Sequence, residues 1–273
     1  DTWNIQNNHT MDTVLCQRWR ENRASYRPAG EPLRTQDYTV RPIASDTQAR
    51  AFIKDHHYSK SYPSAVKRFG LYHLGTELVG VAVFSVPCNP KTLTNIFGGD
   101  PGKSLELGRF VLLDKVEANG ESWFLARCRH ALKSQYTGLV SFSDPTPRTS
   151  STGERIFSGH IGNIYQASNA AYLGRSKARI LRLLPDSTVL HERAQSKIRH
   201  RSKGYASVID LLIRHGAGAP RDTENLNNWL TYWRDQITRP LRHPGNLKYA
   251  WVLQGRHALQ GGVYPKFTAT PDR

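Results

Sequence analysis

The feature that most constrains the fold is a β-hairpin written into residues 69–86, FGLYHLGTELVGVAVFSV. Phe69 to Leu74 and Glu77 to Val86 are rich in β-branched and aromatic residues, and Gly75 supplies the turn between them. The second arm is almost wholly apolar, so both of its faces need cover. A strand of that kind belongs in the middle of a sheet.

Strands and helices alternate around the hairpin. Tyr38 to Ile43 (YTVRPI) predicts an earlier strand, and Ser45 is the expected N-cap of a helix that runs through Ile53 into His56, His57 and Tyr58 before Pro63. Adjacent histidines on a helix point about 100° apart, so at most one of His56 and His57 faces a given site. Leu105 to Asp114 (LELGRFVLLD) reads as a strand carrying Arg109 within an apolar run. That guanidinium needs an anionic partner: Glu106, another buried carboxylate, or a bound ligand. A helix from Glu121 to about Lys133 follows, with Phe124, Leu125, Cys128, Ala131 and Leu132 on one stripe. Its start, after Asn119 and Gly120, suits an anion because free N–H groups point outward there.

The stretch 138–175 has the most site-like pattern. Leu139 to Phe142 reads as a buried strand that delivers Asp144 to its carboxyl end, where open α/β sheets place their ligands. A loop of Ser, Thr, Pro and Gly follows, and Ile161 to Leu173 is expected to be helical, with Tyr165, Asn169 and Tyr172 on one face. Two readings stand: a polar, tyrosine-bearing site beside a carboxylate, or a turn cap at Asp144 with core tyrosines. Arg179 to Leu184 and Thr188 to Glu192 then read as strands closing the core around the turn at 185–187.

Charge sets the partner class. With 38 Lys and Arg against 22 Asp and Glu, the net charge is +16, and a polyanion is the expected partner, nucleic acid before a membrane surface. Arg193, Lys197, Arg199, Arg201 and Lys203 form one basic run, followed by a short helix at Tyr205 to Arg214. The tail interleaves Trp229, Tyr232, Trp233 and Trp251 with Arg234, Arg239, Arg242 and Lys248. Such a pattern suits phosphate contacts with base stacking, or a solvated basic face over an aromatic core. Three scattered cysteines, Cys16, Cys88 and Cys128, exclude a disulfide framework, and no apolar run is long enough to span a membrane. The opening residues lack a secretory pattern, so a cytoplasmic setting is expected. The domain expectation is a basic extension over 1–38 (a phosphate-binding arm or a solvated segment), a catalytic domain over 39–204, and a basic, aromatic-rich extension over 205–273.

The order of elements resembles the N-acetyltransferase (GNAT) fold, an α/β (α+β) class with a mixed central sheet flanked by helices. In that fold two parallel strands splay and an acyl-CoA lies in the gap; here Leu105 to Asp114 and Leu139 to Phe142 take those places. NAAYLGR (169–175) resembles a helix of that fold, whereas NGES (119–122) stands where its pyrophosphate loop would be. A more specific resemblance, over most of residues 50–185, is to the Mom family of phage DNA-modification proteins. It rests on His57-Tyr58 after a helix, LELGR ending at Arg109, Glu121-Ser122, SFSD ending at Asp144, and IYQASN with Tyr165. That resemblance implies conversion of adenine in double-stranded DNA to N6-carbamoylmethyladenine, which shields phage DNA from restriction. It implies Arg109 and Ser122 at acyl-CoA (acetyl-CoA), and His57, Tyr58, Asp144 and Tyr165 in catalysis and as ligands of an iron. A homodimer is one assembly consistent with it. Two other readings remain at this point: acetylation of a protein or small-molecule amine, with Tyr172 as acid, and a non-catalytic DNA-binding protein on a degenerate fold.

Overall fold

The computed structural model of the chain describes residues 31–150, 152–153, 155–255 and 258–266, together with the backbone of 15–20 and 23–28. It divides into two compact units. One comprises Asp1–Pro145, His160–Arg175 and Asn246–Arg273; the other comprises Thr146–Gly159 and Ser176–Gly245.

In the first unit, β1 (Leu15–Arg20) and β2 (Arg23–Pro28) pair antiparallel, where the sequence suggested only irregular chain. After β3 (Tyr38–Pro42), α1 (Asp46–His56) starts as expected, the Ser45 hydroxyl accepting the Thr47 N–H at 3.1 Å. The hairpin consists of β4 (Ala65–His73) and β5 (Glu77–Ser85). Leu74 and Gly75 lie at φ 46° and 75°, and the Thr76 N–H donates to the His73 carbonyl, so the turn has the twist that two antiparallel strands require. β4 begins earlier than its apolar run because Arg68 anchors it: the guanidinium reaches Asp46 at 2.7 Å and the carbonyls of Ile43 and Ala44.

α2 (Lys91–Phe97) leads into β6 (Ser104–Leu112), α3 (Gly120–Leu132) and β7 (Gly138–Ser143). The central position expected of the second hairpin arm is explained by the two faces of β5. Val81 and Val83 pack with Ala49 and Ile53 of α1, while Ala82 and Phe84 pack with Phe124, Leu125 and Cys128 of α3. Each of these side chains is fully buried, and at about 25 cal/mol per Å² this two-sided cover is the main stabilisation of the unit.

The chain leaves the unit after Pro145 and re-enters at His160. The helix expected over 161–173 is only α4 (Asn163–Ala167), and the segment that follows is a strand, β10 (Ala171–Arg175). Asn169 explains the break: it takes a left-handed conformation, φ 57°, and the Ala170 N–H turns back to the Tyr165 carbonyl. Tyr165 and Tyr172 do not share a helix face; each ring packs 5.4 Å from that of Tyr249.

In the second unit, β8 (Arg148–Thr149) pairs with β9 (Arg155–Phe157), and β11 (Arg179–Leu183) pairs with β12 (Arg239–His243). α5 (Glu192–Arg199), α6 (Tyr205–Arg214) and α7 (Leu226–Ile237) enclose a separate core of Leu184, Leu190, Ile198, Leu212, Trp229 and Leu230. Residues 188–192 are not the strand expected; a single bridge joins Val189 to Leu183, and Glu192 already begins α5. The place they were expected to fill in the first unit's sheet is taken by β13 (Leu247–Val252), which pairs with β7 and β10. The sheet order is therefore β10-β13-β7-β6-β5-β4-β3, and only β6 and β7 run parallel. Trp229, Tyr249 and Trp251 are core residues, which removes them as stacking platforms for bases. Among the described residues no helix is long and apolar enough to cross a membrane.

Candidate active site

β6 and β7 are paired only at their start: Ser104 with Gly138, Leu105 with Leu139, Glu106 with Val140. Beyond Glu106 the strands part, and the Ser141 hydroxyl donates to the Leu107 carbonyl at 3.0 Å. An opening between two parallel strands, at their carboxyl ends, is where this class of sheet offers a ligand site.

Gly108 brings the charges of β6 into that opening. On β5, Val83 pairs with Arg109 and the adjacent Phe84 with Leu107, so Gly108 is an extra residue in β6. In a regular strand residues three apart face opposite ways; the bulge lets Glu106 and Arg109 act on one another and on Tyr165. A Cβ on Gly108 would stand 2.7 Å from the buried Ser85 hydroxyl, so a residue without a side chain fits here.

Burial pushes the Glu106 carboxyl up to about 7, with the nearby positive charge of Arg109 opposing part of that rise. Tyr165 is buried beside it and hydrogen-bonds Ser141; desolvation holds its phenol above the ordinary value, so it keeps its proton. Arg109 is fixed by the Ser61 carbonyl at 2.7 Å and the Ser61 hydroxyl at 2.6 Å, which ties β6 to the segment after α1.

His57 and Tyr58 lie just past α1 rather than on it. His57 is extended, and its Nδ1 accepts the Ser59 N–H at 3.1 Å, a side-chain bond that competes with further helix. Burial, then the charges of Arg109 and His160, drive its pKa well below the ordinary value, so the ring is neutral. His56, by contrast, is exposed and stacks on Phe52 at 4.6 Å. The Tyr58 ring stacks on His57 at 4.3 Å and meets His160 edge-on at 5.9 Å, its hydroxyl 3.4 Å from His160 Nε2. The His160 N–H donates to the Asp144 carbonyl at 2.8 Å, closing the excursion that the chain makes into the second unit.

The structure thus links His57, Tyr58, Arg109, Asp144 and Tyr165 through direct contacts or close electrostatic coupling. Ser122 stands elsewhere, on the first turn of α3, its hydroxyl donating to the Asn119 carbonyl at 3.1 Å. Glu121 beside it is buried, and a carboxylate there offsets the helix dipole that would otherwise attract a pyrophosphate. Two members were not marked by the sequence. Glu106 was noticed only as a partner for Arg109; the glycine inside an otherwise apolar strand was the available signal for a bulge. His160 had only its flanking glycines, Gly159 and Gly162, both at positive φ.

Iron does not fit this donor set. With Nδ1 accepting from the Ser59 amide, the neutral His57 ring carries its proton on Nε2 and has no free lone pair for a metal. Among the described residues no three His, Cys, Asp or Glu side chains gather closely enough to hold a metal ion.

A mixed sheet whose parallel strands part over a buried acid, with a helix on each face, defines a GNAT-like fold. The chain belongs to the Mom protein family, whose model matches residues 37–217, well over half of its length. That membership sets it among phage DNA-modification proteins. Among solved structures it is similar to a tandem GNAT protein from the clavulanic acid biosynthesis pathway, with 9% identity and a TM-score of 0.41, covering 81% of this chain and 100% of that one. It is also similar to spermidine N-acetyltransferase from Vibrio cholerae, with 10% identity and a TM-score of 0.32 over 51% of this chain and 82% of that one. Scores of this size carry no argument about activity. A search of curated proteins finds no match.

Proposed function

We propose that the chain modifies the N6 amine of adenine in duplex DNA, giving the carbamoylmethyl derivative that protects phage DNA from restriction, with a donor that carries the carbamoylmethyl group on a leaving group held in the β6–β7 opening. The observation that carries this reading is Glu106, a carboxyl poised near neutrality where the two strands part, in a chain of this family. The adenine amine is a weak nucleophile because its lone pair is delocalised into the ring. The N–C bond forms at the donor's methylene carbon as the bond from that carbon to its leaving group breaks; the leaving group takes the electron pair, and the amine gives up one proton. A carboxylate with a pKa of about 7 is matched to that task at neutral pH.

The neighbouring residues then have separable tasks. Arg109, held by Ser61, orients Glu106 and presents positive charge to a developing anion. Tyr165 donates a hydrogen bond or a proton from its buried phenol. The rings of Tyr58 and His160 offer faces for a base taken out of the duplex, an extrusion that costs a few kcal/mol. Asp144 positions the loop that carries His160.

Plasmid DNA from cells expressing the protein is expected to resist a restriction endonuclease whose site contains adenine. DNA from cells expressing Glu106→Gln is expected to be cut. Complete cutting of the DNA from cells that hold folded wild-type protein would contradict the proposal.

A further inference from the structure

The second unit holds a cationic surface that the chemistry above does not use. On α5 the inner face, Ala194, Gln195 and Ile198, packs into the second core. The outer face carries Arg193 and Lys197 at i and i+4, with the His200 ring following at the helix end, and the positive charge is continued by Arg201 and Lys203 in the turn before α6. Arg193, His200, Arg201 and Lys203 are exposed and Lys197 is half-buried. Arg199 is different: it is tied to Glu192 and to Gln195. Among the described residues no carboxylate lies within ion-pair distance of Arg193, Lys197, Arg201 or Lys203. Like charges one turn apart destabilise a helix by some tenths of a kcal/mol.

A recess of about 130 Å³ adjoins the stripe, between the end of α5 and the start of α7, lined by Arg199, Arg201, Asn225, Asn227, Ile198 and Leu226. Four of its six lining side chains can donate hydrogen bonds and none is acidic, the lining an anionic oxygen group requires.

From these observations we infer that the α5 stripe and the turn after it grip the phosphate backbone of duplex DNA without reading its sequence, and that the recess receives one phosphate. The inference rests on the DNA-modifying reading and adds the part of the chain that holds the DNA. From Arg193 to Arg199 the helix rises about 9 Å, a length over which a duplex carries about five phosphates, and the turn beyond it adds Arg201 and Lys203. Arg and Lys side chains that contact phosphates give affinity and register, not base choice.

The experiment uses the full chain and a short fluorescent DNA duplex, with affinity measured across salt from roughly 50 to 200 mM. The fourfold variant Arg193→Ala, Lys197→Ala, Arg201→Ala, Lys203→Ala is expected to bind at least tenfold more weakly to every duplex sequence. The slope of log affinity against log salt should become shallower by about three to four, near 0.9 for each phosphate no longer neutralised. Its KM for DNA should rise while kcat stays unchanged. A charge-preserving variant, Arg193→Lys with Arg201→Lys, should keep the wild-type slope. An unchanged slope in a folded fourfold variant would overturn the inference, and so would a slope lost in the lysine variant. Glu106→Gln separates the two proposals: it should bind DNA as wild type does while failing to modify it. Wild-type protein that binds no duplex at any salt in this range would overturn both.

Discussion

Glu106 and His57 are ionisable groups held in their neutral forms at the same opening, and they give stability opposite dependences on pH. The Glu106 carboxyl rises from 4.5 to about 7, so between those values the folded chain keeps a proton that the unfolded chain has released. Its contribution is therefore fully present below about pH 4.5 and is lost as pH rises through 7. Glu106→Gln removes that loss; in urea melts near pH 8 the variant should be more stable than wild type by up to about 3 kcal/mol, with no gain near pH 4. His57 runs the other way. Its folded pKa is depressed below 6.5, so its contribution is present above 6.5 and is lost as pH falls below that value. His57→Gln should flatten the acid limb of a stability-against-pH curve, and an unchanged limb would show that the ring is not held neutral. At this scale the sequence was partly legible. Arg109 signalled itself as a charge in an apolar run, and Asp144 as an acid at a strand end. Glu106 did not, because a count of residues along a regular strand puts positions 106 and 109 on opposite faces.

The difference is made by one element, the bulge in β6. Gly108→Ala places a methyl group 2.7 Å from the Ser85 hydroxyl, with Pro63 on its other side, so β6 must shift. The expected outcome is a loss of about 1–3 kcal/mol in stability and a fall in activity larger than that loss explains, since Arg109 is re-aimed. Activity that simply tracks the folded fraction would mean that the bulge is structural alone. Capping is the simpler case: Ser45→Ala should cost about 1 kcal/mol by leaving the Thr47 N–H without its acceptor, read from a thermal melt. Elements with strong local signals were legible, including the hairpin with its glycine turn, the Ser45 cap and the α3 stripe. Residues 161–175 were not. Their apolar spacing fits a helix, but Asn169 in a left-handed conformation and the vacant sheet edge beside Tyr249 give the segment after α4 a better partner as a strand. β13 was illegible for a related reason: its partners β7 and β10 lie far from it in sequence, and only long-range pairing assigns it.

For the whole molecule, two cores and an excess of positive charge set the terms. Leu212 is completely buried in the second core, and Leu212→Ala should cost about 2–5 kcal/mol there. Hydrogen exchange should show that loss in α5, α6 and α7 before it appears in β5 or β6. The net charge of +16 pointed to a polyanion, nucleic acid first, and the proposed function takes that partner to be duplex DNA. The central claim is that the opening between β6 and β7 modifies adenine, with Glu106 taking the amine proton. Mass spectrometry of nucleosides from plasmid DNA, recovered from cells expressing wild type or Glu106→Gln, tests it most directly. The account predicts an adenosine species heavier by one carbamoylmethyl group in the wild-type sample, reduced about a hundredfold or more in the variant. Equal amounts of that species in both samples, or only unmodified adenosine from folded wild-type protein, would contradict it.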